Sequence, residues 1–405
     1  MNTYAAPATA RPRVSLLTIL LAYLQLGLTA FGFTILQRLK SVVLDNGWLG
    51  EEEMNEGLAL VQLYPGPIMV DFTAYVGYRL RGVPGAILAT LGFIAPSFAL
   101  MLILSAAYFA AGSLPWVHLL FLGLEALIIG IILNVTLDFG ERALKGRFEA
   151  GIALAAFVAL LFRVNAFLIV LAALALGALL LRPAANANLG ARPRLTAEPF
   201  SLQRATAIAA VGGVVLAVAG LAWALQSEVG RMGLSFFQIG SVAFGNGTTI
   251  LPLIQAEVVD AHHWLTLGQF ADGIALGQVT PGPLLITAAF VGFKVGGVLG
   301  ALLATFAMFS PSFAMTLIFT EVLGRLRNLR AIRGALSGVL ASFVGLLAVV
   351  LLQLGSVGIA GPASLALAAS AFVAVRFWKW DVVWVFLGGL AVWAGLMALG
   401  IAGVV

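Results

Sequence analysis

Gln25-Leu26-Gly27-Leu28-Thr29-Ala30-Phe31-Gly32 and, 213 residues later, Gln238-Ile239-Gly240-Ser241-Val242-Ala243-Phe244-Gly245 are the stretches on which the fold turns. They open a longer match. Pro65-Gly66-Pro67 returns as Pro281-Gly282-Pro283, and Val76-Gly77-Tyr78-Arg79 as Val291-Gly292-Phe293-Lys294. Gly85-Ala86, leading to Pro96-Ser97-Phe98, returns as Gly300-Ala301, leading to Pro311-Ser312-Phe313. The offset stays between 213 and 216, so only small gaps are needed. Two Leu/Ala-rich segments alike by chance would not keep Phe-Gly, Pro-Gly-Pro and Pro-Ser-Phe in one order. The chain is an internal duplication.

Composition says what kind of repeat this is. Of 405 residues, 61% are hydrophobic and only 10% charged, with a mean hydropathy of +1.07. A soluble domain carries about 45–50% apolar and about 25% charged residues, so a soluble enzyme built on one core is excluded. Long continuous apolar runs, rather than short alternating segments, exclude a β-barrel. Many of the 46 glycines lie inside those runs, as in closely packed transmembrane helices. The expected fold is an all-α polytopic membrane protein, with the lipid bilayer as its surroundings. With no cysteine, disulfides, Fe–S clusters and thiolate metal sites are excluded. Neither a metal nor another cofactor is expected. The net charge of +5 resides in short loops, where it sets orientation, and gives no reason to expect nucleic acid. Met1–Pro12 is polar and lacks the apolar core of a cleavable signal peptide.

Loop charge then orients the halves. Gly112–Val117 carries no Lys or Arg, whereas its counterpart carries Arg325, Arg327, Arg330 and Arg333. The next loop reverses the bias: Arg142, Lys145 and Arg147 in the first half, no charge across Gly355–Pro362 in the second. Equivalent loops of opposite bias lie on opposite faces of the membrane, which predicts an inverted-topology repeat. The domains expected are a first half over 1–181, a cytoplasmic linker over 182–204, and a second half over 205–405 with one extra leading helix. Spans are predicted at 14–36, 57–78, 84–110, 117–137, 149–162, 166–181, 205–225, 233–255, 268–290, 296–320, 334–353, 363–375 and 382–402. That makes about 12–13, in the cytoplasmic membrane of a prokaryote. Segments 149–162 and 363–375 fall short of the ~20 residues a span needs and could each join the next segment as one long tilted helix.

Candidate chemistry gathers at the Pro-Gly-Pro sites. Proline removes an N–H and clashes one turn back, so no helix runs through unbroken. A break at membrane depth is tolerated where protein or a water-filled cavity covers it. Pro67 and Pro283 suit the first position of a new helix. The amides of Ile68, Met69 and Val70, and of Leu284, Leu285 and Ile286, would then be free to meet an anion. Gln62 and Gln278 stand three residues before each break, and Asn246, Thr248 and Thr249 follow the second Phe-Gly. Arg79 and Lys294 occupy equivalent positions and could attract anions. Asp71 and Glu125 lie deep in apolar sequence, where an ionisable group costs about 2.5–3.5 kcal/mol; they are the candidates for ion coupling. Plainer readings hold elsewhere. Ser97 and Ser312 satisfy carbonyls freed by the preceding proline, His262 and His263 are interfacial, and Glu51-Glu52-Glu53 is a solvated helix start. No catalytic constellation stands out, nor a duplicated acidic or histidine motif, so an intramembrane enzyme is not expected.

These motifs together resemble the chromate transporter family of bacterial and archaeal oxyanion carriers. The resemblance rests on Phe31-Gly32 and Phe244-Gly245, Pro65–Pro67 and Pro281–Pro283, and Gly82…Gly85-Ala86…Pro96–Phe98 with Gly297…Gly300-Ala301…Pro311–Phe313. It covers most of both halves. It implies secondary-active chromate efflux by alternating access, giving chromate resistance, with sulfate as an alternative substrate. The substrate contacts it implies fall on Phe31, Gly32, Gln62, Pro65, Gly66, Pro67, Ile68, Phe244, Gly245, Asn246, Thr248, Gln278, Pro281, Gly282, Pro283 and Leu284. A homodimer is carried as a candidate assembly. An anion channel using the same amides is the alternative. Phe33 and Asn246 stand where the family has a second glycine, and Ile68-Met69 where a polar residue is common.

Overall fold

The computed structural model describes residues 14–31, 35–111, 114–181, 201–245, 247–322 and 330–399. The first half holds α1 (Leu16–Thr29), α2 (Ile35–Asp45), α3 (Glu51–Val61), α4 (Ile68–Ala111), α5 (Pro115–Ala143), α6 (Arg147–Leu161) and α7 (Ala166–Leu180). The long helix α8 (Leu202–Leu225) follows, largely exposed on its outer face. The second half holds α9 (Glu228–Ser241), α10 (Leu251–Gln255), α11 (Leu267–Val279), α12 (Thr287–Val322), α13 (Arg330–Gly358), α14 (Pro362–Arg376) and α15 (Val382–Ala398). A 3-10 turn precedes α10 and a π-helical turn follows it. Among the described residues, five segments are long and apolar enough to cross a membrane: Ile68–Ala111, Trp116–Ala143, Leu202–Leu225, Leu284–Glu321 and Arg333–Gly358. Helices α1, α7, α14 and α15 are shorter apolar ones.

The duplication extends to local detail. Ser15 caps α1 by accepting from the Thr18 amide at 3.0 Å, and Ser227 caps α9 by accepting from Gly230 at 3.1 Å. These caps satisfy amides that the first helical turn leaves unpaired. Helices α4 and α12 each consist of two limbs, meeting at Arg81-Gly82 and Gly296-Gly297. Gly82 (φ 63°) and Gly297 (φ 59°) take the left-handed conformation that only glycine adopts cheaply. Small residues bring the halves together. Gly130 of α5 lies directly against the Ala368 carbonyl of α14, and Gly345 of α13 directly against the Ala153 carbonyl of α6. Both positions and both partners are 215 residues apart, so one contact occurs twice. Close backbone approach of this kind packs helices where lipid removes the hydrophobic drive to associate.

Several predicted spans need correction. The spans at 14–36 and 233–255 do not run unbroken, because α1 ends at Thr29, ahead of Ala30-Phe31, and α9 at Ser241, ahead of the extended Phe244–Gly245. Thus the Phe-Gly sites, like Pro-Gly-Pro, interrupt their helices. Segments 149–162 and 363–375 do not fuse with their neighbours. Arg163 (φ 59°) turns the chain after α6, and Asn165 caps α7, accepting from Phe167 at 2.9 Å. Lys379 (φ 57°) and Asp381, which accepts from Val383 at 3.0 Å, repeat the device between α14 and α15. Among the predicted site residues, Gly32 and Asn246 lie outside the described residues. So do linker residues 182–200, Phe33, Arg325 and Arg327.

Candidate substrate site at two chain crossings

Each Pro-Gly-Pro crosses the Phe-Gly segment of the other half. At the first crossing, Gly66–Pro67 pairs in parallel with Phe244–Gly245, Gly66 opposite Phe244 and Pro67 opposite Gly245. At the second, the Gly282 amide donates to the Ala30 carbonyl at 2.8 Å, next to Phe31. The parallel sense matters. Consecutive spans run in opposite directions, so Phe-Gly and Pro-Gly-Pro of one half oppose each other. A direct repeat would therefore pair antiparallel across halves; the parallel pairing requires one half to be inverted.

The third wall of each crossing is the Pro-Ser-Phe of the opposite half. Ser97 donates to the Pro281 carbonyl at 2.6 Å, fully buried. A Cβ on Gly282, which also has φ 98°, would clash with Ser97 Oγ. Ser312 stands in the same relation to Gly66, its Cβ 2.7 Å from where a Gly66 side chain would begin. The expected role for Ser97 is corrected: it satisfies a carbonyl of the other half's break, not of its own helix. Ser312 donates within its own helix, to Phe309 at 3.2 Å, but that is not the carbonyl of Ala307 that Pro311 frees, so its expected role is corrected too. Ser97→Ala should therefore destabilise more than Ser312→Ala, by about 1–3 kcal/mol for a buried carbonyl left unpaired. Thermal unfolding of the two variants in detergent measures the difference.

The supply of free amides is smaller than expected. Pro67 and Pro283 are not the first helical residues. Pro67 belongs to the extended pair and Pro283 (ψ 129°) caps a 3-10 turn. Because Pro67 has no N–H, its step of the ladder is made by the Gly245 and Ile68 amides, so the Ile68 amide is engaged. The Ile286 amide donates to Pro283 at 3.0 Å. Among the described residues, the amides of Met69, Val70, Leu284 and Leu285 have no acceptor and could meet a ligand. Thr248 is buried beside these strands, and Thr249 donates to the Phe244 carbonyl at 2.6 Å. Gly247 packs on Leu284, 3.2 Å from the Leu284 Cβ to a Cβ built on the glycine. Phe244, Gly245, Thr248 and Leu284 thus come together with Gly66 and Pro67. Gln62 is exposed at the end of α3, and Gln278 is half-buried on α11.

The crossings differ in charge. Asp71, wholly buried in the first turn of α4, sets its carboxyl against Gly66. The hydroxyls of Ser312 and Thr316 lie within its reach, though each donates to a carbonyl of α12. Thr316 also meets the Tyr64 hydroxyl at 2.7 Å. Four residues after the second Pro-Gly-Pro, the equivalent position is Thr287, which is uncharged and donates to Leu284 at 2.9 Å. The first crossing therefore carries its own acid and the second does not. Arg79 pairs with Glu53 at 3.0 Å, so that acid is not merely solvated. Lys294 sits over the Phe109 ring, 5.1 Å from its centroid. His262 stacks on Trp264 with centroids 4.4 Å apart.

A second cluster was not read from the sequence. Glu125 of α5 and Asp272 of α11 bring their carboxyls together in the interior, and Tyr108 of α4 donates to Asp272 Oδ2 at 2.6 Å. A signal was present, since Glu56-Gly57 aligns with Asp272-Gly273 ahead of the two Pro-Gly-Pro sites. It is a duplicated acidic position nine residues ahead of each Pro-Gly-Pro.

Two inverted halves whose interrupted helices cross inside a polytopic bundle define a membrane transporter architecture. The family model described as chromate transporter matches residues 17–178 and 230–395, and the chain belongs to that family. It is 32% identical over 410 residues to a chromate transport protein of Pseudomonas aeruginosa, covering 96% of this chain and 95% of that one. It is 30% identical over 350 residues to a chromate transport protein of Cupriavidus metallidurans, covering 85% and 84%. An uncharacterised transporter of Methanocaldococcus jannaschii is 30% identical over 345 residues, covering 85% of each chain. No solved structure matches.

Proposed function

We propose that this protein exports chromate across the cytoplasmic membrane of a prokaryote, as a secondary transporter working by alternating access. The observation that carries this reading is the pair of crossings: each is built from both halves, so movement of one half against the other opens or closes them together. The anion sits nearer the second crossing, against Leu285 and Gln278. There Thr287 replaces the acid that Asp71 places at the first crossing, and a dianion meets no like charge. Arg79 and Lys294 contribute through the field they add to the approach rather than by contact, Arg79 being already paired with Glu53. The proteins from Pseudomonas aeruginosa and Cupriavidus metallidurans support the substrate by name.

Energetics favour export. With the interior negative, moving a dianion outward releases about 4.6 kcal/mol per 100 mV, twice the single-charge value. That alone supports a concentration ratio above roughly a thousandfold. The test is chromate flux in proteoliposomes under a clamped potential, with sulfate, phosphate and chloride as competitors. Saturable flux that follows the potential, shows counterflow and is inhibited by sulfate alone is the expected result. Unitary conductance would replace the carrier with a channel. Movement of another anion with chromate inert would remove the substrate and leave the architecture.

A further inference from the structure

We propose that Glu125 and Asp272 share a single proton across the junction of the two halves, and that this proton moves in step with the transported anion. The inference rests on the transporter reading above and adds a coupling site to it. Both side chains are more than nine-tenths buried, with 5% and 6% exposed. Their carboxyl groups lie within hydrogen-bonding reach of each other. Tyr108 supplies one donor, to Asp272 Oδ2 at 2.6 Å. Among the described residues, Glu125 Oε2 and Asp272 Oδ1 have no donor.

Among the described residues, no cationic side chain is paired with either carboxyl. Gly358 of α13 and Gly268 at the start of α11 lie against Glu125. The rings of Phe109, Phe121 and Phe290 enclose Tyr108. The titratable groups that face the pair from the packed elements are Tyr108 of α4, Glu125 of α5 and Asp272 of α11. Lys294 of α12 stands over Phe109, one ring removed. Two carboxylates in contact, without a cation or donors to cover the facing oxygens, repel strongly in a buried site. One proton between them converts that repulsion into a charge-assisted hydrogen bond. A hard metal cation asks for six or more oxygens, whereas this cluster offers the oxygens of two carboxyls and one phenol.

Position joins the proton to the cycle. Glu125 belongs to the first half and Asp272 to the second. Asp272 rides on α11, whose far end enters the second crossing at Thr280–Pro283. From Asp272 to Val279 the rise is only about 10 Å, so a shift of the crossing along α11 separates the carboxyls and frees the proton. The arrangement occurs once. Glu56 repeats Asp272, but the counterpart of Glu125 is Leu340. One proton per cycle follows.

The test pairs spectroscopy with flux on the full-length protein. Infrared difference spectra on titrating the purified protein should show a protonated-carboxyl C=O band at neutral pH. Glu125→Gln and Asp272→Asn should each remove it, and Asp138→Asn, at the surface, should keep it. In proteoliposomes with a trapped pH dye, a chromate gradient should drive proton movement, and the proton-to-chromate ratio should fall at least tenfold in Glu125→Gln and Asp272→Asn. The proposal is overturned if wild type lacks the band, if both variants keep it, if sodium displaces it at fixed pH, or if the ratio is unchanged. A wild type that shows the band but moves no anion supports the shared proton as a site and overturns the transporter reading and the coupling with it.

Discussion

Gly282→Leu and Gly66→Leu are each expected to abolish chromate transport while the protein still inserts and remains folded. At Gly282 two penalties combine. The backbone has φ 98°, which costs an L-residue about 1–2 kcal/mol. The first side-chain atom would also clash with Ser97 Oγ, the group that satisfies the Pro281 carbonyl. Overpacking of this kind adds about 1–3 kcal/mol. Together they are worth about 3 kcal/mol, or more than roughly a hundredfold in rate if the strain falls on the transport cycle. At Gly66 the new side chain would displace the Asp71 carboxyl and press on Ser312. Both clashes are with side chains at the crossings, so the helix packing elsewhere stays intact. Flux in proteoliposomes, beside a size-exclusion profile identical to wild type, is the measurement. Ser97→Gly added to Gly282→Ala should restore little of the lost flux, because it relieves the clash but leaves the buried Pro281 carbonyl unpaired. Normal transport by both leucine variants would dismiss the crossings as the site.

Gly345→Leu and Gly130→Leu are expected to act on assembly of the halves instead. Each glycine meets backbone: Gly345 the Ala153 carbonyl and the Phe157 amide, Gly130 the Ala368 carbonyl and the Phe372 amide. Backbone inside a helix cannot rotate away, so α13 must leave α6, or α5 must leave α14. The penalty should reach or exceed the upper end of the about 1–3 kcal/mol seen when side chains can adjust. The expected outcome is loss of the monodisperse peak in detergent and a sharp fall in membrane yield. Gly151→Leu and Gly212→Leu, at glycines with open space around them, should behave as wild type. A stable, well-folded Gly345→Leu protein would show that the interface between halves tolerates separation here.

Much of this protein was legible before any coordinates. Hydropathy marked the helices, because a segment in hydrocarbon must satisfy its own backbone and do so as a helix. The duplication was legible because rare residues such as the prolines of Pro-Gly-Pro keep their order when apolar ones drift. Inversion was legible in Arg325, Arg327, Arg330 and Arg333 against Arg142, Lys145 and Arg147, because charge bias follows the face of the membrane. The breaks at Pro65–Pro67 and Pro281–Pro283 were legible from the missing amides. The breaks at Phe-Gly were not, since neither residue forbids a helix outright. Phe244–Gly245 is extended because Gly66–Pro67 pairs with it across the bundle.

What the sequence determined by itself is local or statistical: which segments are apolar, where a helix cannot continue, which half faces which way. What only the tertiary structure decided is partnership. Ser97 serves the carbonyl of Pro281, 184 residues away. Ile68 loses its amide to the Gly245 strand, and Glu125 finds Asp272 rather than a partner in its own half. The physical reason is that hydrogen bonds and charges at a crossing depend on distances of a few ångströms between segments remote in the chain. A sequence pattern restricts which residues can meet, and packing alone selects which do.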